Sequence, residues 1–528
     1  MQRTNRLLGL LGCFALAWVA LALPAPASLD AQRDRGPERG QDADEAAATE
    51  DELDALLRRF GEDAEGLKEE IDEAVDNGVQ WLAEQQNRDG SWDNYPSLYA
   101  MGGTALCALA LKKSIIGMYE GTERELQRDI RRLERLQERD RATPEQLGRL
   151  RYLQRRGEQD IEIRRDIQQR VDRAIEWIRS RYNRIKNDPP VTYSTGGEGP
   201  NFKVYDIGVI LMLLEGQYTR RIEERGQSRV GVEPRDVDRQ DLAWIREMVN
   251  WLEGRLIQPQ QDGQSWDGRG WRYPGAAQDG ATVDMSNTQY AILGLKAASR
   301  MGVRIRNEDV WRDLVTYTME LQCEDGPEVR RRFMTESTEG LRTAPVHPEG
   351  GVITDRARGW SYLPIRSRSY PATGAMTTAA LAVLLMGLSE LHELNVLPND
   401  DDLNERLNQS INDGLAWLGH HYSVRTNPTD SRRTYGWHYY YLYGLERAGV
   451  LAQTEFMGEH PWYLDGARLL LRQQSRDGSW EAGTNPAQDG DETGSLTDTS
   501  FAILFLKRAT VPLRVNMGPV ITGGDRDE

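Results

Sequence analysis

A repeated stretch near both ends of the chain is the feature that most constrains its fold. The first copy, residues 78–92, reads GVQWLAEQQNRDGSW, and the second, residues 466–480, reads GARLLLRQQSRDGSW. Weaker copies lie between them, around Trp177, Trp251, Tyr317 and Trp417. Self-similarity at such intervals is the sequence signature of a repeat architecture. The sequence therefore predicts six units built on one plan.

Each unit predicts a pair of helices. The first is amphipathic and ends at an Asp-Gly or lone Gly turn, because glycine accepts the left-handed conformation that a helix end needs. A tryptophan after the turn is expected to pack back over it. The second helix is apolar nearly all round; residues 499–506 are the clearest case, with Asp498 as the expected N-cap. A helix with no polar face must be buried on both sides.

Six such pairs predict an all-α protein, an (α/α)6 toroid with an outer and an inner ring of helices over residues 67–510. The near-identity of the first and last units indicates that they meet. An open superhelix of helical hairpins is the structural alternative.

The N-terminal segment, residues 1–27, is predicted to be a signal peptide. Arg3 and Arg6 precede an uncharged run, residues 7–23, and Ala25-Pro26-Ala27 offers a small-x-small cleavage site. The run is at the lower length limit for crossing a bilayer, so an uncleaved membrane anchor is the alternative. The protein is therefore expected to be exported, either periplasmic or extracellular.

Two further segments flank the repeats. Residues 28–66 are acidic and weakly periodic, which predicts a disordered linker. Residues 511–528 are expected to form a C-terminal tail. The formal charge of −17 over 528 residues argues against a nucleic-acid partner, which would favour a basic surface. Three cysteines exclude a disulfide-dense scaffold.

An Arg- and Glu-rich insertion, residues 120–170, predicts a helical hairpin between the first and second units. Leu126, Ile130 and Leu133 recur at helical spacing, and the stretch 143–146 (TPEQ) combines a capping box with proline at the first helical position. The narrow apolar stripe fits a self-packing hairpin or a docking arm for a protein partner. A second insertion, residues 323–359, is expected to be a long loop near the cavity mouth.

The repeated motif resembles the QW repeat of squalene and oxidosqualene cyclases, which protein prenyltransferase β-subunits share. The matching residues of the first copy are Trp81, Leu82, Gln86, Gly90 and Trp92. Those of the second are Leu469, Leu470, Gln474, Gly478 and Trp480, with leucine in the aromatic slot. The resemblance covers most of residues 70–508 and implies the α/α toroid of that superfamily.

The catalytic signatures that the resemblance implies are incomplete. The Asp-x-Asp-Asp acid motif of the squalene-hopene cyclases is absent, and the nearest cluster, residues 399–402, is expected to cap a polar helix. In the prenyltransferase zinc site, Asp284 and His438 match two ligands, but Ser286 stands where the cysteine would be. Neither a metal nor another cofactor is predicted.

Candidate site residues lie at the starts of the inner helices. In a toroid these helices run parallel, so their N-termini face one mouth and favour anions there. Asp206, Asp284 and Asp498 are expected at those starts, together with His438. The carboxylates fit capping residues, or a ring able to act in acid–base catalysis. The run Tyr439, Tyr440 and Tyr441 is expected to line a ligand cavity.

Two functions follow from this pattern. The first is a binding or scaffolding toroid for a hydrophobic or extended small-molecule or polymer ligand. The second is an enzyme, either terpene-cyclase-like or polysaccharide-active, that uses a non-standard carboxylate site in the cavity. Because a fold hosts many functions, the site residues have to decide between them.

Overall fold

The structure is a computed structural model, and it describes residues 52–64, 66–92, 100–188, 191–192, 198–199, 203–224, 227–256, 269–272, 283–305, 309–337, 340–362, 371–431, 436–481 and 494–513. Helices make up 65% of it, and the strands are few and short. The expectation of an all-α protein is therefore confirmed. The predicted signal peptide (1–27), most of the predicted linker (28–66) and most of the predicted tail (511–528) lie outside the described residues.

Within the described residues there are fourteen α-helices and four antiparallel pairs of strands. The helices are α1 (Glu52–Arg59), α2 (Leu67–Glu84), α3 (Ala100–Ser114), α4 (Glu123–Glu138), α5 (Pro144–Ile185), α6 (Val204–Tyr218), α7 (Arg239–Glu253), α8 (Met285–Arg300), α9 (Asp309–Glu320), α10 (Gly374–Glu393), α11 (Asp401–His420), α12 (His438–Leu451), α13 (Trp462–Gln473) and α14 (Gly494–Leu506). The strands are β1 (Val191–Thr192), β2 (Glu198–Gly199), β3 (Thr219–Glu224), β4 (Gln227–Val232), β5 (Glu328–Arg330), β6 (Phe333–Ser337), β7 (Gly340–Ala344) and β8 (Thr354–Arg356). The pairs are β1–β2, β3–β4, β5–β8 and β6–β7.

Six of the helices form the core. They are α3, α6, α8, α10, α12 and α14, which are apolar on most sides and buried over most of their length. Helix α10 is long and apolar enough to cross a membrane by length and composition, yet it is wholly buried within the protein. We refer to these six as the inner helices. The amphipathic helices that precede them bury only one face.

Neighbouring inner helices run parallel to one another. The first turn of α3 meets the first turn of α6, where the N–H of Gly102 donates to Asp206. Gly444 of α12 lies against Thr378 of α10 at a matching height. The contacts follow the order α3, α6, α8, α10, α12, α14, and α14 in turn contacts α3. At that last contact the hydroxyl of Ser500 donates to the sulfur of Cys107 at 3.7 Å.

A hydrogen-bond pattern that recurs along the chain joins the two helices of a unit. In four units the indole Nε1–H of a buried tryptophan donates to a carbonyl in the last turn of the preceding helix, while its backbone N–H donates to a threonine of the next inner helix. The tryptophans are Trp92, Trp271, Trp360 and Trp480, and the threonines are Thr104, Thr288, Thr377 and Thr499. The prediction that this tryptophan packs over the turn is confirmed.

The glutamine of the motif joins one unit to the next. Gln86 Nε2 donates to the carbonyl of Gly90 in its own turn and to that of Arg170 on α5, each at 3.0 Å. Gln474 Nε2 donates in the same way to Gly478 and, at 2.8 Å, to Ala74 on α2. The last motif therefore contacts the first long helix of the chain as the first motif contacts α5.

The predicted linker ends earlier in the chain than expected. Helix α1 and the 3-10 turn at Gly61–Ala64 lie within residues 28–66, and Leu53, Leu56 and Phe60 are buried in the main core. The ring of Phe60 packs against that of Phe456, with 5.9 Å between centroids. The apolar spacing that begins at Leu53 therefore marks the buried face of a helix. Residues 52–64 do not belong to the predicted linker.

The insertion at 120–170 contains α4 and the first part of α5, which pack against each other. Both helices begin with a capping box, at Thr122 and Thr143, and Pro144 is the first residue of α5. The capping box expected at Thr143 is thus confirmed. Helix α5 continues without a break from the hairpin into the second unit, where it supplies the long helix that Gln86 contacts.

The second insertion contains strands where a long loop was expected. Strands β5 to β8 lie between Cys323 and Gly359, and a bidentate ion pair holds them together. The Nε and Nη2 atoms of Arg331 donate to the two carboxylate oxygens of Asp355 at 2.8 and 2.6 Å, and both side chains are buried. The strands are three to five residues long, so their alternation was too short to recognise.

Candidate functional site

Asp206 lies in the first turn of α6, and both of its carboxylate oxygens accept backbone N–H groups. One carboxylate oxygen accepts the N–H of Lys203 and the other accepts that of Gly102 on α3, both at 2.8 Å. Burial raises the pKa of this carboxyl to about 6, although both backbone donors act to lower it. Asp206 therefore links two inner helices at their starts.

Asp284 is the N-cap of α8. Its Oδ1 accepts the backbone N–H of Asn287 at 2.7 Å and the hydroxyl of Ser286 at 2.7 Å. These contacts are those expected of a capping carboxylate. The side chain is buried, so the cap belongs to the core of the protein.

His438 lies at the start of an inner helix, as expected, whereas Asp498 does not. His438 is the first residue of α12, and its Nε2 lies 2.8 Å from the carbonyl oxygen of Val424, in the preceding loop. Helix α14 begins at Gly494, so Asp498 is not its N-cap; the expectation placed the helix start one turn too late. Asp498 is buried near Tyr439, and its charge contributes to raising the pKa of that phenol.

The three consecutive tyrosines of α12 point in different directions, because successive residues of a helix are about 100° apart. The hydroxyl of Tyr439 donates to Gln473 on the amphipathic helix α13. The ring of Tyr441 packs on Gly374 of α10. Tyr440 contacts Gln289 of α8 through its hydroxyl. Of the three, Tyr440 is the residue that joins the group described next.

Aromatic side chains from four inner helices meet around Tyr440. We call this group, Tyr205, Tyr290, Tyr440, Tyr443 and Phe501, the aromatic cluster. Its ring centroids lie 4.4 Å apart for Tyr205 and Tyr290, 5.9 Å for Tyr440 and Phe501, and 5.6 Å for Tyr443 and Phe501. Aromatic pairs at such distances stabilise one another beyond simple burial. The cluster links α6, α8, α12 and α14.

A buried arginine, Arg447, packs against two rings of the aromatic cluster. The guanidinium carbon of Arg447 is 4.4 Å from the ring centroid of Tyr443 and 5.8 Å from that of Tyr290. Its Nη1 donates to Gln289 Oε1 at 3.0 Å. Burial acts to lower the pKa of this group, but the two tyrosines outweigh it and the pKa is raised. Arg447 is therefore a permanent cation within the cluster.

The sequence indicated only part of this site. The Tyr-rich run in α12 was the visible signal, and it led to Tyr440. Tyr205, Tyr290 and Phe501 lie in three separate apolar helices with no aromatic run around them, and Arg447 follows Glu446 near the end of its helix. An inward-facing arginine spaced i+4 from Tyr443 was the available clue.

The other ends of the inner helices carry paired charges. Arg300 of α8 donates to Glu215 of α6, and Lys296 of α8 donates to Glu390 of α10, each at 2.7 Å. Glu446 of α12 accepts both the N–H and the hydroxyl of Thr510. These contacts fix the C-terminal ends of the helices to one another and to the segment after α14.

In the part of the chain that the structure describes, no group of three His, Cys, Asp or Glu side chains could hold a metal ion. Cys107 and Cys323 are free thiols there, and burial raises the pKa of Cys323 to about 11, which keeps it protonated. No protein-family model, curated protein or solved structure matches this chain.

Proposed function

We propose that this chain is an exported, closed (α/α)6 toroid of squalene-cyclase/prenyltransferase-like repeats that binds a ligand among its inner helices without transforming it. Closure is supported by the order of inner-helix contacts, which returns from α14 to α3. It is supported also by Gln474, which donates to α2 as Gln86 donates to α5. Export rests on the signal-like residues 1–27.

The aromatic cluster is the observation that carries the binding function. Five rings from four helices, with Tyr440 and Tyr205 only half-buried, offer apolar faces to a ligand. Apolar and aromatic side chains with a few convergent polar groups are the usual lining of a small-molecule site. A hydrophobic or extended small molecule is the class of ligand that fits them.

Two observations speak against catalysis of the cyclase kind. Asp206 and Asp284 are engaged with backbone N–H groups, so neither offers the strong, free acid that protonation of an alkene demands. Arg447 already occupies the faces of Tyr443 and Tyr290. A carbocation in the same cluster would be repelled by that permanent charge.

The binding function is tested by calorimetric titration of the full chain. Dodecan-1-ol serves as the apolar probe and cellohexaose as the polymer probe. We expect the alcohol to bind, and Tyr440→Leu to weaken its binding tenfold or more. The matched control is Tyr422→Leu, a half-buried tyrosine that stacks on His460 in the outer layer. If neither probe binds, or if the Tyr440→Leu and Tyr422→Leu variants bind dodecan-1-ol equally well, the proposal is overturned.

A separate assay tests the enzymatic alternative. We expect no cyclic product when the protein is incubated with squalene, because the acid motif is absent and Asp206 and Asp284 accept backbone N–H groups. Extraction and mass spectrometry give the result. A hopene-like product that disappears in the Asp206→Asn or Asp284→Asn variant would favour the cyclase.

A further inference from the structure

Arg447 is a buried cation that forms no ion pair with a carboxylate of the described residues. It is 1% exposed, and its hydrogen bond to Gln289 uses Nη1 alone. The Nε and Nη2 atoms are buried and donate to no acceptor among the described residues. A buried donor that makes no hydrogen bond is costly, and the cost is greater when the group is charged.

The two unpaired nitrogens form one edge of the guanidinium. Arg331 shows what that edge binds in this protein, because its Nε and Nη2 donate side by side to the two oxygens of Asp355. Paired donors of this geometry match the two oxygens of a carboxylate. The same edge of Arg447 thus has the chemistry of a carboxylate receptor.

The carboxylate next to Arg447 in the sequence is already engaged. Glu446 precedes Arg447, but its two oxygens accept the N–H and the hydroxyl of Thr510, at 3.1 and 2.6 Å. Gln289 cannot neutralise the charge either, since its amide is neutral and bridges Arg447 to Tyr440. Among the described side chains around it, the Arg447 edge therefore has phenols and an amide as neighbours, and no carboxylate pairs with it.

A row of aromatic rings leads from the start of α12 to this edge. Tyr440, Tyr443 and Arg447 have the i, i+3, i+7 spacing of one helix face. Trp437, just before the helix, is 43% exposed and its ring lies 6.3 Å from that of Tyr440. From Tyr440 to Arg447 the helix rises about 10 Å, enough for a short apolar chain to lie along the rings.

We propose that the Nε–H and Nη2–H groups of Arg447 bind the carboxylate of a monoanionic amphiphile whose apolar part lies along Tyr443, Tyr440 and Phe501. A single guanidinium charge is balanced by a single negative charge. A carboxylate carries one such charge, so it matches Arg447 better than a phosphate does. This inference rests on the proposed binding function and names the class of ligand for it.

Three probes that share one alkyl chain separate the possibilities. The full chain is titrated with dodecanoate, dodecan-1-ol and dodecyl phosphate below their micellar concentrations. We expect dodecanoate to bind at least tenfold more tightly than the other two. Equal binding of alcohol and carboxylate would overturn this inference and leave the binding function intact, whereas failure of all three would overturn both. Tighter binding of the phosphate would identify a phosphate site instead.

The variant Arg447→Met tests the role of the charge by a second readout. It should abolish the preference for dodecanoate and leave the melting temperature of the ligand-free protein unchanged or higher, because an unpaired buried charge is lost. The control, Arg331→Met, should lower the melting temperature, since it leaves Asp355 buried without its partner. If both variants melt early, Arg447 is a structural residue and the proposal is wrong.

Arg447→Lys adds a conservative comparison. Lysine keeps the charge but lacks the two-pronged edge, so dodecanoate binding should weaken about tenfold. Unchanged binding in this variant would contradict the bidentate contact.

Discussion

Asp206 and Asp284 open neighbouring inner helices, but their oxygens are used differently. Each oxygen of Asp206 accepts a different backbone N–H, one from Lys203 and one from Gly102. At Asp284 a single oxygen, Oδ1, accepts the backbone N–H of Asn287. Replacement of one oxygen of Asp206 by an amide nitrogen therefore removes the acceptor of a backbone N–H, whereas Asp284 can keep its contact with the backbone of Asn287 through one remaining oxygen.

The pair gives a prediction with its own control. Asp206→Asn should lower the free energy of unfolding by about 1–3 kcal/mol, because one buried N–H loses its acceptor. Asp284→Asn should change it by no more than about 0.5 kcal/mol, since asparagine caps a helix nearly as well as aspartate. Urea unfolding at pH 7 measures both. Equal losses in the two variants would contradict the assigned contacts.

Glu446 makes stability depend on pH. Burial raises its pKa from an ordinary 4.5 to about 7, although the Thr510 donors and Arg447 act to lower it. Between these two pH values the folded protein holds a proton that the unfolded chain releases. The free energy of unfolding should therefore decrease as the pH rises from about 4.5 to about 7, and this contribution should be constant above that range.

Urea unfolding at pH 5 and pH 8 checks this dependence. Glu446→Gln should reduce the difference in unfolding free energy between the two pH values, and the remaining slope belongs in part to Asp206, whose pKa is raised to about 6. Glu455→Gln is the control, because that carboxylate is paired with Arg508. The prediction is wrong if the two variants show the same pH dependence.

The sequence predicted correctly those residues whose role depends only on their near neighbours in the chain. Asp284 and Thr143 were located correctly because a cap is defined by the few residues after it. Asp498 was misplaced because the apolar run of α14 begins after the helix itself does, at Gly494. Tyr205, Tyr290 and Phe501 were missed because only the packing of three separate helices brings them together.

The hairpin of α4 and α5 has an apolar cluster of its own. Leu126 and Leu133 of α4 pack against Leu150 and Leu153 of α5, apart from the main core. Its sequence predicted it well, because both capping boxes and the apolar spacing are local. Strands β5 to β8 were not predicted, because strands of three to five residues are too short for their alternation to be recognised.

Leu126→Ala should loosen the hairpin and leave the inner helices unaffected. Loss of a buried leucine costs about 2–5 kcal/mol, and here the loss is confined to a separate cluster. Hydrogen exchange should become faster in α4 and the N-terminal part of α5 but remain unchanged in α8. Leu381→Ala in α10, where the leucine is fully buried in the main core, should accelerate exchange broadly. Widespread acceleration in the Leu126 variant would show that the hairpin is not separate.

At the scale of the whole molecule, the last unit contacts the first unit through the same kind of motif contact that joins other neighbouring units. The backbone of Asn77 lies so close to Gly478 that a Cβ there would be 2.5 Å from its carbonyl oxygen. Gly478 has a φ of 92°, which glycine adopts without strain. The predicted meeting of the two near-identical copies is thus a real contact, and its close approach explains the second glycine of each motif.

A truncation tests whether the units depend on this contact. Ending the chain at His460 removes α13 and α14, which exposes the apolar faces of α3 and α12. We expect the truncated protein to lose its cooperative thermal transition and its native helicity by circular dichroism. A chain that ends at Leu513 should keep both. A sharp transition in the shorter chain would indicate an open array of separable repeats.

The contact between Phe60 and Phe456 has a consequence for how the molecule is presented to its surroundings. Gln453, in the same turn after α12, also donates to the carbonyl of Leu513. The polypeptide thus enters and leaves its folded body side by side, at the C-terminal end of α12, whereas the exposed Trp437 marks the opposite end. The adjacent ends make this chain suited to circular permutation, with a linker from Leu513 to Glu52.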